Sequence, residues 1–332
     1  MTRSSSILAG LLLLSCCVSP GAPAVDPSWP PPPAEPDIVY VRTITGPGDI
    51  GAKASLFSRF VNTMTGVSST SKNFSRPFGL SLDDGGSLVV TDTGANTVCL
   101  LDLARKKWLR FTEAGGVKFQ SPVAAVHHDK IFYVADTGLG KVLAFDEKGR
   151  ALFEITNSLA RPAGLALLDD HLLVVDSELH EVLVYGLHGE LVSTFGRRGL
   201  QPGEFNFPTH IAVDQRGQIY VTDSLNSRIQ VFTREGKFLR AFGSAGDGPG
   251  HFARPKGVAL DTAGHVYVVD AVFCNVQIFN DTGRLLLDFG GAGSAAGEFS
   301  LPNAIAINPQ NEIFVADAYN HRLQVFRYTG RE

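Results

Sequence analysis

Cysteine is scarce. The 332-residue chain has four, and two of them, Cys16 and Cys17, are adjacent near its start. The other two, Cys99 and Cys274, fall far apart in the body, so no disulfide framework organises the fold, and both read as small apolar core residues. Cys-x-x-Cys-His does not occur, which removes covalent haem attachment, and without Gly-x-Ser-x-Gly there is no candidate for a hydrolase nucleophile elbow. Long apolar runs are missing as well: the stretch from Ile7 to Leu14 is too short to cross a bilayer as a helix. Charge of one sign is not in excess. With 29 Lys and Arg against 33 Asp and Glu, the formal net charge of -4 offers no global attraction for nucleic acid or acidic lipid. Finally, no part of the body shows sustained helical periodicity.

What is present is enough for a large core, since 44% of the residues are hydrophobic and only 19% charged. One short pattern also recurs: "SLVVTD", "IFYVAD", "LLVVD", "IYVTD", "VYVVD" and "IFVAD" end at Asp92, Asp136, Asp176, Asp223, Asp270 and Asp317. A repeat of 40 to 47 residues calls for a repeat architecture. Within one unit, "GVALD", "HVYVVD", "NVQIF" and "RLLLDFG" read as four short strands separated by Gly-, Asp- and Asn-containing turns. A four-stranded unit cannot bury both faces alone, so six of them are expected to pack around an axis as a six-bladed all-β propeller of antiparallel blades. Sandwiching between neighbours explains why the second strand is apolar throughout rather than alternating. The repeated aspartates are expected to pin the turns that follow by accepting backbone N–H bonds, a structural rather than catalytic role.

The ends carry two further expectations. The sixth unit stops after its third strand, "LQVF", while "YVRTITG" (Tyr40 to Gly46) resembles the fourth-strand "FLRAFGS", so the N-terminal strand should complete the last blade and seal the ring. Ahead of it, residues 1–16 read as an export signal, with Arg3 followed by the short apolar run. Leu13, Leu14 and Ser15 before Cys16 resemble the bacterial lipobox, which implies lipidation of Cys16 and a membrane-anchored lipoprotein of the cell envelope. Cleavage after Ala24, giving a soluble periplasmic or secreted protein, is the alternative. Residues 17–36 form a proline-rich tether, residues 37–332 the propeller, and about 49–73 an insertion in it.

The units "EFNFPTHIAVDQRGQIYVTDSLNSRIQVF" and "EFSLPNAIAINPQNEIFVADAYNHRLQVF" resemble NHL repeats. The first three units fit less well, having lost the arginine of the Asn-x-Arg segment. The resemblance implies a six-bladed propeller and a wide range of functions: protein and RNA platforms, and enzymes on related propellers such as amidating lyases and lactonases. Zinc in the lyases is held by several channel histidines. Here the matching column reads Gly79, Ala124, Gly164, His210, Gly257 and Ala304, and one histidine cannot make such a site. For a calcium site, Glu178 and Asn303 are too thin a set. No metal, cofactor or catalytic residue is therefore assigned.

A binding face is better supported. The turns after the second strands and before the first strands carry Phe78, Leu139, Leu179, Leu225, Phe273 and Tyr319, joined by Arg76, Arg161, Arg254 and Lys256. Together with His210 and Glu178, these are the candidate binding residues. Apolar tips beside arginine suit protein or peptide recognition, so the expectation is a non-catalytic platform for an envelope protein or peptide, without nucleic acid. A metal-dependent lyase or lactonase-like hydrolase at the channel mouth is the alternative.

Overall fold

A computed structural model describes residues 26–31, 34–35, 37–52 and 73–330. The signal at 1–16, the lipid on Cys16, parts of the 17–36 tether and most of the insertion at about 49–73 lie outside the described residues.

The chain is all-β, with six antiparallel blades wound in sequence around an axis. Helix among the described residues amounts to two single 3-10 turns, Ser224–Asn226 and Ala318–Asn320. Blade 5 shows the pattern. From the axis outward it consists of Pro255–Leu260, Val266–Asp270, Asn275–Phe279 and Leu285–Gly290. All five residues of the second strand are buried because both faces of that strand meet a neighbouring blade. The outermost strand alternates, its leucines part-exposed at the rim. Asx turns set the hairpins: the Asp261 carboxylate accepts from the N–H groups of Ala263 and His265, and Asn280 Oδ1 from those of Thr282 and Arg284.

Apolar contact between blades holds the ring. Six hydrophobic clusters lie one at each junction between adjacent blades; that between blades 5 and 6, for example, packs Tyr267, Val276 and Phe289 against Ile313, Val315 and Phe326. Innermost strands follow one another around the full circle, with Pro302–Ile307 against Pro77–Leu82. Junction loops add a buried ring of their own: Phe205, Phe252 and Phe299 are fully buried. Each faces a glycine at positive φ; a Cβ on Gly243 would stand 2.3 Å from the Phe252 ring.

Closure follows the expected route. Ile38–Ile44 pairs antiparallel with Arg322–Tyr328, running from Ile38 opposite Tyr328 to Ile44 opposite Leu323. Ile38 and Ile44 are completely buried. The pairing then extends into the stretch read as a spacer. Ser28–Trp29 forms a fifth strand on blade 6, and the Trp29 ring lies 5.7 Å from Phe289 and 5.9 Å from Phe326, centroid to centroid. An indole beside an exposed apolar rim gains by covering it, which is why this short segment docks.

The six repeat aspartates are buried, and each is saturated with donors. Asp92 accepts from the backbone N–H groups of Ser75 and Arg76 in the loop before its blade, and from Gly94 and Ala95 in the turn after it. Each carboxylate therefore ties the start of the first strand to the end of the second, a broader task than pinning the following turn. In blades 4 and 6 side chains replace the turn amides: Asp223 Oδ2 accepts from Asn226 Nδ2, Arg228 Nε and Gln230 Nε2, at 2.8, 2.8 and 3.1 Å. Asp317 is held in the same way by Asn320, Arg322 and Gln324.

Candidate functional site: the channel mouth

Every blade starts its innermost strand with a proline opposite the repeat aspartate of its second strand, as with Pro77 and Asp92 or Pro255 and Asp270. The residues just before and just after these prolines therefore rim one end of the channel. Before them stand Arg76, Ser121, Arg161, Phe207, Arg254 and Leu301. After them stand Phe78, Val123, Ala163, Thr209, Lys256 and Asn303.

Nine of these twelve, all but Arg254, Leu301 and Asn303, line a cavity of about 380 Å³. Its cations are Arg76, Arg161 and Lys256, its apolar walls include Phe78, Val123 and Phe207, and no carboxylate among the described residues lines it. Arg76 is held over the Tyr319 ring, 5.2 Å from its centroid, a cation–π contact that aims the guanidinium. Burial, and then the like charge of Arg254, push the Lys256 ammonium down to about 8. No carboxylate among the described residues offsets that charge.

His210 forms the floor and lines both this cavity and the narrow shaft beneath it. Asn303 Nδ2 reaches across the axis to its Nε2 at 3.4 Å, and also donates to the Phe78 carbonyl at 3.0 Å. With Nε2 accepting, Nδ1 carries the proton and donates to Thr209 Oγ1 at 3.1 Å. Burial, with Lys256 adding to it, pushes His210 down to about 3, so the imidazole is neutral at physiological pH. The rest of the column is Gly or Ala for a steric reason. A Cβ on Gly79 would stand 2.4 Å from the Val123 carbonyl oxygen, and one on Gly257 2.8 Å from Ala304 Cα.

Comparison with known proteins places these features in a wider group. The model of a 6-bladed beta-propeller family matches residues 215–274, and that of the NHL repeat matches residues 299–326. The chain is a six-bladed β-propeller that carries an NHL repeat at residues 299–326. Among solved structures, a Bacteroides thetaiotaomicron protein described as an auxiliary nutrient binding protein shares its fold with a TM-score of 0.62 at 13% identity, covering 78% of this chain and 71% of the other. A Bacteroides thetaiotaomicron protein of unknown function gives 0.57 at 16% identity, covering 78% and 70%. Virginiamycin B lyase from Staphylococcus aureus gives 0.56 at 13% identity, covering 76% and 95%. At such identities the likeness is one of fold.

Of the twelve residues picked from the sequence of this six-bladed propeller, five meet in the mouth cavity: Arg76, Phe78, Arg161, His210 and Lys256. Leu179, Leu225 and Tyr319 are exposed at turn tips on the same face, and Arg254 and Glu178 are exposed outside the cavity. Leu139 instead packs on the core between blades 1 and 2. Phe273 lines a separate hollow with Asp247 and Pro249, while its neighbour Val272 takes the exposed tip.

Sequence reasoning missed Phe207, Val272 and Leu301, which are exposed on this face, and the hydroxyls of Ser121 and Thr209 in the cavity. Phe207 and Leu301 also hold φ of +52° and +47°, a strained conformation for bulky side chains. Their place before the proline, in register with three arginines, was the available signal.

Proposed function

We propose that the mouth face is a non-catalytic docking platform for a protein or peptide that combines apolar side chains with acidic ones. One observation carries this reading: exposed Leu179, Phe207, Leu225, Val272, Leu301 and Tyr319 share a face with Arg76, Arg161, Arg254 and Lys256, none of which forms an ion pair among the described residues. Apolar tips there add nothing to the propeller core, and unpaired cations favour an acidic partner. The lipobox-like segment at Cys16 supports an exported, membrane-anchored setting in a bacterial envelope.

A metal-dependent lyase or hydrolase at the same mouth is the competing reading. Cations lining the cavity would repel a divalent metal, which weighs toward binding. Selection from a displayed random-peptide library tests the platform. The wild-type chain should enrich peptides holding Asp or Glu beside Leu or Phe, and the triple charge reversal Arg76→Glu, Arg161→Glu, Arg254→Glu should lose that enrichment. A selection without sequence preference would count against the platform.

A further inference from the structure

We infer that the channel-mouth cavity is an oxyanion pocket that takes one carboxylate or phosphate group on an apolar stem, with Lys256 at its base and Arg76 and Arg161 at its lip. The inference deepens the platform reading and rests on it for the choice of face. Three cations from blades 1, 3 and 5 converge on one cavity that no acid among the described residues lines. Positive charge concentrated in a low-dielectric recess focuses its field on whatever enters.

Neutral donors complete the set. Thr137 and Ser177 already give their hydroxyl protons to the carbonyls of Pro162 and Arg161, at 2.8 and 3.2 Å. Thr209 differs, because it accepts from His210 Nδ1 and so keeps its own O–H to donate. Ser121 Oγ lines the cavity with no hydrogen bond among the described residues. Below them the neutral His210 adds no repulsion and closes the shaft, so an anion entering the mouth stops beside Lys256. Phe78, Val123 and Phe207 supply the apolar wall for the stem. At about 380 Å³ the cavity suits one small acid or one acidic side chain.

A lysine held near 8 is a cation waiting for a partner: the charge acting on it is that of Arg254, and the titratable groups that share its cavity, Arg76, Arg161 and His210, bring no acid. An anion bound there favours the ammonium, so binding takes up a proton above pH 8 and affinity falls as pH rises from 7 to 10. The same charge can come from a free acid or from a peptide.

Calorimetric titration of the full chain at low salt decides the matter, with inorganic phosphate, 4-phenylbutyrate and an N-acetylated Leu-Glu-Phe amide as probes. Saturable binding of at least one probe is expected, weakened at least tenfold by Lys256→Met, with the pH dependence lost in that variant. Tight binding of phosphate or phenylbutyrate alone marks a free acid as the source; much tighter binding of the peptide marks a protein segment. Thermal unfolding checks that Lys256→Met folds, and its midpoint at pH 7 should equal or exceed that of the wild type, since an unpaired half-buried cation has been removed. The pocket is overturned if no probe binds, or if Lys256→Met binds all three as the wild type does. Peptide enrichment that is insensitive to Lys256 would leave the platform standing without the pocket. Phosphate binding that depends on Lys256, without peptide enrichment, would leave the pocket without the platform.

Discussion

Arg322 Nε donates to Asp317 Oδ2 across 2.7 Å, with the carboxylate wholly out of water and the guanidinium nearly so. Arg322 Nη2 continues to the carbonyls of Ala295 and Glu298, at 2.7 and 2.9 Å, so one side chain clips the junction loop to the third strand. Arg228 does the same for Asp223, Gln201 and Glu204 in blade 4. Blades without the arginine satisfy the aspartate with turn amides instead, as Asp270 is by the N–H groups of Val272 and Phe273. The arginine and the 3-10 turn therefore occur together, in blades 4 and 6, and its absence from blades 1, 2, 3 and 5 did not cost them the blade.

Removing one partner of this clip should be expensive. Arg322→Met leaves Asp317 buried and short of a charged donor, a change expected to cost about 3 to 5 kcal/mol. Equilibrium urea unfolding should show a clear drop in midpoint, and Arg322→Lys should restore little of it because an ammonium cannot reproduce the fork. An unchanged midpoint would dismiss the clip as decoration.

Ring closure depends on Ile38–Ile44. A chain shortened to begin at residue 47 loses two fully buried isoleucines and exposes the edge of Arg322–Tyr328. Its melting temperature should fall well below that of the intact chain, and it should aggregate through the open edge. A closer probe uses the intact chain and its two tryptophans: in a Trp108→Phe background, Trp29 alone should report on heating when it leaves its seat on Phe289 and Phe326. Equal heat resistance of the short and intact chains would contradict the seal.

Gly164→Ala sets two effects against each other. Restricting the unfolded chain favours alanine by about 0.4 to 1 kcal/mol. The new Cβ would stand 2.7 Å from the Thr209 carbonyl oxygen and 3.2 Å from His210 Cα, and backbone at the axis has nowhere to move. Overpacking of that kind costs about 1 to 3 kcal/mol, so net destabilisation is expected in thermal unfolding.

His210 sets a pH dependence. Its folded pKa of about 3 lies below the unfolded value of 6.5, so between these limits the unfolded chain binds the extra proton. The contribution of this residue is thus complete above pH 6.5 and is lost progressively as the pH falls toward 3. His210→Gln, which keeps an acceptor for Asn303 without titrating, should flatten the stability profile across that window relative to the wild type. Identical slopes for the two proteins would refute a neutral imidazole in the folded chain.

The architecture was legible because its cause is periodic. Strand, turn and aspartate recur at fixed spacing, and each blade meets the same demand to bury two faces, so one unit read correctly predicts all six. The unmatched third strand at the end and its complement at Tyr40 to Gly46 carried the closure in the same way. Periodicity gave no notice of Trp29, whose docking depends on an apolar rim shared by Phe289 and Phe326 from different blades.

The chain's order of residues alone thus determined that there would be a wheel, how many blades it would have and where it would close, since each follows from local pattern and burial. Tertiary structure decided which mouth residues meet. Leu139 and Phe273 stand three residues after their aspartates, as the exposed Leu179 does, yet one packs half-buried on the core and the other turns to a separate hollow. Lys256, Arg76 and Arg161 share a cavity only because blades 1, 3 and 5 face the same axis, a proximity set by closing the circle and by nothing within any single repeat.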